Sequence, residues 1–140
     1  MNFLKEFEKV MENSVTFVLA TSVDNAPNVR IVNFCHDIQN KCVVYFSTFK
    51  QSSKTMEFSQ NNKIAFTTIP NGHGGVVRVT NATVQKSALT VDDIKDGIIK
   101  KFPGFADMVA NAGSMLEVYE IHFNEATVTV DHNNIGKITL

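Results

Sequence analysis

The sequence has no tryptophan, only two cysteines and no excess of either charge. A net charge of −1 gives no basic field that would attract nucleic acid, so an anionic ligand must be held by a local cluster of cations. No segment approaches the roughly 20 consecutive apolar residues of a membrane span, and the N-terminus lacks the apolar run of a signal peptide. We therefore expect a cytoplasmic protein with neither a nucleic-acid nor a membrane partner.

The cysteines flank a predicted turn at Asp37–Asn40. Cys35 and Cys42 are interpreted as small, buried and reduced side chains, and a cross-strand disulfide is the alternative. The sequence contains neither GxGxxG nor GxSxG, so it does not predict a Rossmann fold or a serine hydrolase. His122 and His132 lack ligand-like spacing with Cys or Glu, so we predict no metal site. No acid–base pair stands out, and the catalytic residues stay unknown.

The 140 residues are 44% hydrophobic and 19% charged, which is typical of one globular domain spanning 1–140. Many short strands, apolar on both sides and joined by tight turns, predict a mainly β (α+β) fold with a closed or nearly closed antiparallel barrel. Helices are predicted at the N-terminus and between strands, with Met56 as the buried anchor of the second helix. The predicted strands are Val15–Ser22, Asn28–His36, Lys41–Thr48, Lys63–Ile69, Val76–Lys86, Leu116–Phe123, Ala126–Val130 and Ile135–Leu140, and the predicted helices are Phe3 to Asn13, Ser52 to about Gln60, Thr90 to Lys101 and Phe105–Asn111.

The stretch from Asn28 to Lys54 is the candidate binding unit. Arg30 lies in an apolar strand, Ser47 and Thr48 end the next strand, and a helix then opens with Ser52, Ser53 and Lys54. A helix start offers unpaired N–H groups and a positive dipole end, so a lysine there is unfavourable unless an anion binds beside it. We expect the two strands to form a hairpin that brings Arg30 to the same pocket as Ser47 and Thr48. The pattern suggests a site for the phosphate and ring of a flavin.

Four motifs follow one another along the sequence: LATSVDNAPNVR, Arg30-Ile31-Val32-Asn33, YFST followed by FKQSSK, and Val77-Arg78-Val79. In this order they resemble the FMN-binding split-barrel superfamily related to pyridoxamine 5′-phosphate oxidase. The resemblance extends from the N-terminal helix to the Val76–Lys86 strand and implies a split β-barrel. The small general-stress and nitroimidazole-resistance proteins are the most similar members. A true pyridoxamine 5′-phosphate oxidase is not expected, because residues 121–140 contain no arginine.

The resemblance implies a role for each matching residue. Arg30 and Lys54 would bind the FMN phosphate, with Ser52 and Ser53 donating hydrogen bonds. The backbone of Ile31 and Val32 would hold the polar edge of the isoalloxazine, and Ser47 and Thr48 would line the flavin. Family members are homodimers with FMN at the interface, so a second chain would contribute groups from around Pro70–Val77.

Three functions are consistent with this resemblance. The first is a flavin-dependent oxidoreductase that reduces a small molecule, such as a nitro compound or quinone, with electrons from a nicotinamide donor. The second is a non-catalytic FMN-binding or stress-related module. The third is a split barrel that uses haem or a deazaflavin. His73, in a glycine-rich loop, could approach the flavin or a substrate, although a solvated loop histidine is the simpler interpretation.

Overall fold

A computed structural model of the protein describes residues 1–37, 39–72 and 74–140. Within these ranges the chain forms four α-helices, nine strands and one 3₁₀ turn, and most predicted boundaries are confirmed to within a residue or two. The elements are α1 (Phe3–Asn13), β1 (Thr16–Val23), β2 (Ala26–Asn33), β3 (Cys35–His36), β4 (Val43–Phe49), α2 (Ser53–Gln60), β5 (Lys63–Thr68), β6 (Val76–Lys86), α3 (Val91–Lys101), α4 (Phe105–Ala112), the 3₁₀ turn Gly113–Met115, β7 (Leu116–His122), β8 (Glu125–Asp131) and β9 (Asn134–Thr139).

The strands form one antiparallel split barrel in the order β2-β1-β5-β6-β7-β4-β3, and β8 and β9 extend from β6. The two ends of this order are consecutive in the chain, because β2 and β3 are separated only by Phe34. The stretch 26–36 therefore pairs with β1 through its first part and with β4 through its last. No ladder joins β2 to β4 within the described residues, so the barrel is open between these two strands.

The predicted hairpin between Asn28–His36 and Lys41–Thr48 is wrong over most of its length. Arg30 lies opposite Leu19 of β1, and only Cys35 and His36 pair with β4. The physical reason is the turn before β2, where Asp24 and Asn25 both adopt positive φ, at 51° and 63°. A two-residue turn of this kind matches the right-handed twist of its flanking strands and joins β1 and β2 as a hairpin.

The buried residues form two clusters. The barrel interior contains a network of phenylalanines, in which the Phe17 ring lies 4.8 Å from Phe34 and 4.7 Å from Phe66 between centroids. A second cluster lies where α3 and α4 pack against the outer face of β7, β4 and β3, and it includes Ile98 and Phe105. The side chains of β4 therefore pack on both faces of the sheet. Val44 and Phe46 face the barrel interior, and Tyr45 faces the cluster under α3 and α4.

β1 lies inside the sheet between β2 and β5, and its residues alternate in burial, with Leu19 inside and its neighbours half-buried. One packing prediction is corrected by the structure. Met56 is 60% exposed, and Phe58 is instead the buried anchor of α2. The Phe58 ring lies 6.0 Å from Phe46 and 5.2 Å from Tyr119, which places that side of the helix over the barrel.

Cys35 and Cys42 are free and partly buried, so the alternative of a disulfide is not realised. None of the helices in the described ranges is both long enough and apolar enough to cross a membrane. The cytoplasmic location stays a prediction.

Candidate functional site

A pocket of about 180 Å³ opens where the barrel is split between β2 and β4. α2 contributes Lys54 to its wall, and α4 contributes Phe105 and Met108. The pocket brings together most of the residues that the sequence predicts for a flavin site. Its lining consists of Ile31, Val32, Asn33, Ser47, Thr48, Phe49, Lys54, Phe105, Met108 and Leu116.

The alternation of two strands presents these side chains to the pocket. On β2, Val32 is buried and Ile31 is 62% exposed, so the strand offers an apolar outer surface beside the opening. On β4, Thr48 is buried, whereas Ser47 is partly exposed and Phe49 is 48% exposed. The pocket therefore has a mixed lining, with hydroxyl groups at the end of β4 and apolar side chains around them.

The N-terminus of α2 lies beside the end of β4. Ser52, the N-cap residue, is extended, and its side chain makes no capping bond to the helix. Its hydroxyl is instead 3.1 Å from the Thr48 hydroxyl, and no acidic residue occupies the first turn of the helix. The positive end of the helix dipole is consequently neutralised neither by a capping side chain nor by an acidic side chain in the first turn.

Lys54 adds a full positive charge at this helix end. Its side chain is half-buried, lines the pocket and makes no ion pair within the described residues. Burial and the nearby Arg30 guanidinium lower the pKa of Lys54, and Glu57 partly opposes that shift. A half-buried cation with a cationic neighbour is a locally unfavourable arrangement, which Glu57 partly relieves and an anionic ligand would relieve further.

Arg30, which the resemblance assigns to the FMN phosphate, contacts residues of α2 and β1. Its guanidinium forms an ion pair with Glu57 of α2 and donates to the Thr21 hydroxyl at 2.9 Å. Thr21 in turn donates to Glu57 at 2.7 Å, and Asn28 donates to the other carboxylate oxygen at 2.9 Å. The hydrogen bonds from Asn28 and Thr21, together with Arg30, hold the pKa of Glu57 below its usual range. This cluster connects α2 to the β1–β2 hairpin.

The structure thus places five of the eight predicted residues in the pocket lining and three outside it. Ile31, Val32, Ser47, Thr48 and Lys54 line the pocket, whereas Arg30 lies beside it in the cluster with Glu57. Ser52 contacts the lining through Thr48, and Ser53 is exposed at the first position of α2. Sequence reasoning missed the lining residues Asn33, Phe49, Phe105, Met108 and Leu116, and it missed the carboxylate of Glu57.

The sequence gives little sign of the contribution of α4, because its residues are about 55 positions beyond the Ser52–Lys54 loop and follow no recognisable motif. Glu57 is easier to recognise in retrospect. It lies three residues after Lys54 on the same helix, and this spacing places its carboxylate close to the lysine.

The described histidines do not line this pocket. His36 is within 3.0 Å of the Lys41 carbonyl oxygen and its ring packs edge-on against Phe7, whereas His122 pairs with Glu120 at 2.8 Å. His73, whose approach to a ligand was a hypothesis, lies outside the described residues. Among the described residues, no three His, Cys, Asp or Glu side chains are grouped so that they could hold a metal ion.

The open barrel, with a pocket of mixed lining and a helix N-terminus at the split, defines the protein as a split-barrel protein. The sequence profile of the family described as pyridoxamine 5′-phosphate oxidase-like matches residues 10–137. The chain belongs to the pyridoxamine 5′-phosphate oxidase-like family. No curated protein matches the sequence.

Solved structures with the same fold are distant in sequence. General stress protein 26 from Bacillus anthracis str. Sterne is 15% identical, with a TM-score of 0.71 and full coverage of both chains, 100% and 100%. ChuZ from Campylobacter jejuni is 15% identical with a TM-score of 0.75, and a heme binding protein from Mycobacterium smegmatis is 7% identical with a TM-score of 0.76. The alignments cover 98% and 99% of this chain but only 59% and 58% of those two proteins. At such identities the likeness shows the fold alone.

Proposed function

We propose that the protein binds FMN at the split of the barrel and acts as a flavin-dependent oxidoreductase on a small molecule. The observation that carries the proposal is the uncompensated N-terminus of α2, where Lys54 opens onto a pocket that is also lined by hydroxyl groups of β4. A phosphate group would pair with Lys54 and accept hydrogen bonds from backbone N–H groups at the same helix end.

The remaining residues fit the other parts of the coenzyme. Ser52 and Ser53 would donate to the phosphate, and Ser47 and Thr48 would line the flavin. β2 is at one end of the strand order, so the backbone of Ile31 and Val32 has a side that no described strand covers. Unpaired backbone groups of this kind can hydrogen-bond the polar edge of the isoalloxazine. Arg30 would add positive charge beside the phosphate.

Bound FMN would supply the electron or hydride transfer, and the protein would bind and orient it. The proposed substrate class is a small electron acceptor, such as a nitro compound or a quinone, with a nicotinamide as the donor. The apolar side chains Phe49 and Met108 at the pocket mouth, 48% and 38% exposed, suit a flat and weakly polar acceptor. Oxidation of pyridoxamine 5′-phosphate is not part of the proposal.

We further propose a homodimer that completes the site. The pocket of one chain holds about 180 Å³, whereas ligand pockets usually measure about 300–1,000 Å³. Beside it, Val29 and Ile31 are 60% and 62% exposed and lie opposite Ala20 and Val18, which makes the outer face of β1 and β2 apolar. A second copy would bury this face and supply the missing wall, from around Pro70–Val77.

The absorbance spectrum of the purified protein tests the coenzyme assignment. Flavin bands, and saturable binding when FMN is added to the apoprotein, would support the proposal. A Soret band would instead favour haem. Haem is the second candidate because the chain shares its fold with a heme binding protein. A protein that binds neither flavin nor haem would contradict both.

Turnover is tested separately with the FMN-loaded protein under anaerobic conditions. Bleaching of the bound flavin by NADH or NADPH, faster than that of free FMN at the same concentration, and its reoxidation by a nitroaromatic or quinone would support an enzyme. Bound flavin that is reduced no faster than free FMN by either donor would favour the non-catalytic module.

A further inference from the structure

Glu57 places a carboxylate among the cations of the proposed phosphate site. It lies three residues after Lys54 on α2, and such pairs are neighbours on a helix surface. Its ion pair with Arg30 is mostly shielded from solvent, since the two side chains are 17% and 20% exposed. Lys54 interacts electrostatically with both partners. The three charges therefore act on one another as a single group.

The hydrogen bonds of this cluster restrict what Arg30 can do for an anion. One terminal nitrogen donates to Thr21 at 2.9 Å and the other donates to Glu57. Arginine usually binds phosphate through two parallel N–H donors of its planar fork. Each terminal nitrogen keeps one further N–H donor, so Arg30 can still offer hydrogen bonds to a ligand, and it also acts on the ligand through its charge.

Glu57 also offsets that charge. With Arg30 and Lys54 each contributing one positive charge and Glu57 one negative charge, the cluster keeps a single net positive charge. The hydrogen bonds from Asn28 and Thr21 lower the pKa of Glu57, which keeps the carboxylate ionised at neutral pH. A second negative charge on a bound phosphate therefore gains little from this site, while it still loses its hydration on binding.

We propose that Glu57 is a specificity residue of the coenzyme site, which makes the site nearly indifferent to the second negative charge of a phosphate monoester. This inference rests on the proposed function. A phosphate monoester loses its second proton at a pKa of about 6, so FMN changes from one to two negative phosphate charges between weakly acidic and neutral pH. A phosphodiester or diphosphate ester carries one charge per phosphate throughout this range.

The test is a titration of FMN and riboflavin into wild-type apoprotein and Glu57→Gln apoprotein, at several pH values from 5.5 to 7.5. Removing the carboxylate is expected to tighten FMN binding about tenfold at pH 7.5 and to leave riboflavin binding unchanged, because riboflavin has no phosphate. FMN affinity should rise with pH in the variant and stay nearly flat in the wild type. A purely structural role of Glu57 would not change this pH profile.

Glu125→Gln is the matched control, because Glu125 pairs with Lys137 in the β8–β9 hairpin and not with the cluster on α2. It is expected to behave as wild type for both flavins. If Glu57→Gln fails to fold, the test can be repeated by comparing Arg30→Gln with the double variant Arg30→Gln/Glu57→Gln. The double variant removes both members of the Arg30–Glu57 ion pair, so neither is left without the other. There, the added Glu57→Gln change should again tighten FMN binding about tenfold.

Two results would overturn the inference while leaving FMN binding established. One is an FMN affinity with the same pH profile in wild type and Glu57→Gln, and the other is an equal loss of FMN and riboflavin binding in the variant. Absence of flavin binding to the wild-type protein would overturn the proposed function itself, together with this inference.

Discussion

Replacing Lys54 by alanine is the sharpest test of the proposed phosphate site. Lys54 lines the pocket at the uncapped start of α2 and has no ion pair within the described residues, so its removal breaks no existing pair. A hydrogen bond between charged groups contributes about 1.5–3 kcal/mol. Loss of that contact should raise the Kd for FMN about 10- to 150-fold. Isothermal calorimetry or quenching of flavin fluorescence would measure the change.

The comparison needs two controls. Riboflavin should bind wild type and Lys54→Ala equally, because the lost contact is with the phosphate alone. Lys63→Ala removes the same charge from an exposed position at the start of β5 and should leave FMN binding unchanged. Equal FMN affinity of wild type and Lys54→Ala would refute the phosphate assignment. An equal loss for both flavins would show that Lys54 supports the pocket rather than the phosphate.

Three further changes test the packing, the electrostatics and the assembly. Phe58→Ala should lower the free energy of unfolding by about 3–5 kcal/mol because it empties a site in the core, whereas Met56→Ala should change it by less than about 0.5 kcal/mol, as measured by urea denaturation. Burial lowers the pKa of Lys101 to about 8, so the native state holds fewer protons there than the unfolded chain above that pH. Wild type should therefore gain about 1–2 kcal/mol over Lys101→Met between pH 7 and pH 10, after allowance for partial exposure, and a pH-independent difference would contradict this. Ile31→Asp should give monomers in sedimentation equilibrium, whereas Ile135→Asp, at a comparably exposed position on β9, should leave a dimer intact.

Much of this architecture could be predicted from local signals. The Val76–Lys86 strand and the helix capped by Thr90 both follow from short-range patterns, namely β-branched residues in one case and a capping box closed by Asp93 in the other. Lys54 at a helix start was recognisable for the same reason, because its position conflicts with the helix dipole. Signals of this kind depend only on residues that are neighbours in the sequence.

The pairing of Arg30 was not predicted, because the strand that carries it is adjacent in sequence to two strands and the turn before it was not weighed as a hairpin turn. The choice depended on the turn at Asp24 and Asn25, whose positive φ angles commit β2 to β1. The contribution of Met108 to the pocket was missed for another reason. No short-range sequence pattern indicates which pocket a helix covers when it packs against a sheet.

The cluster around Glu57 connects the fold to the proposed chemistry. Thr21 and Arg30 belong to adjacent strands, and both bind the Glu57 carboxylate on α2, so the same bonds that offset the charge of Arg30 also fix the helix against the hairpin. A helix held in this way points its N-terminus, with Lys54, at the split rather than into solvent. An arginine without the carboxylate would give a stronger anion site but would leave the helix less firmly placed. The contacts of Glu57 with Arg30 and Thr21 therefore both position α2 and reduce the net positive charge of the site.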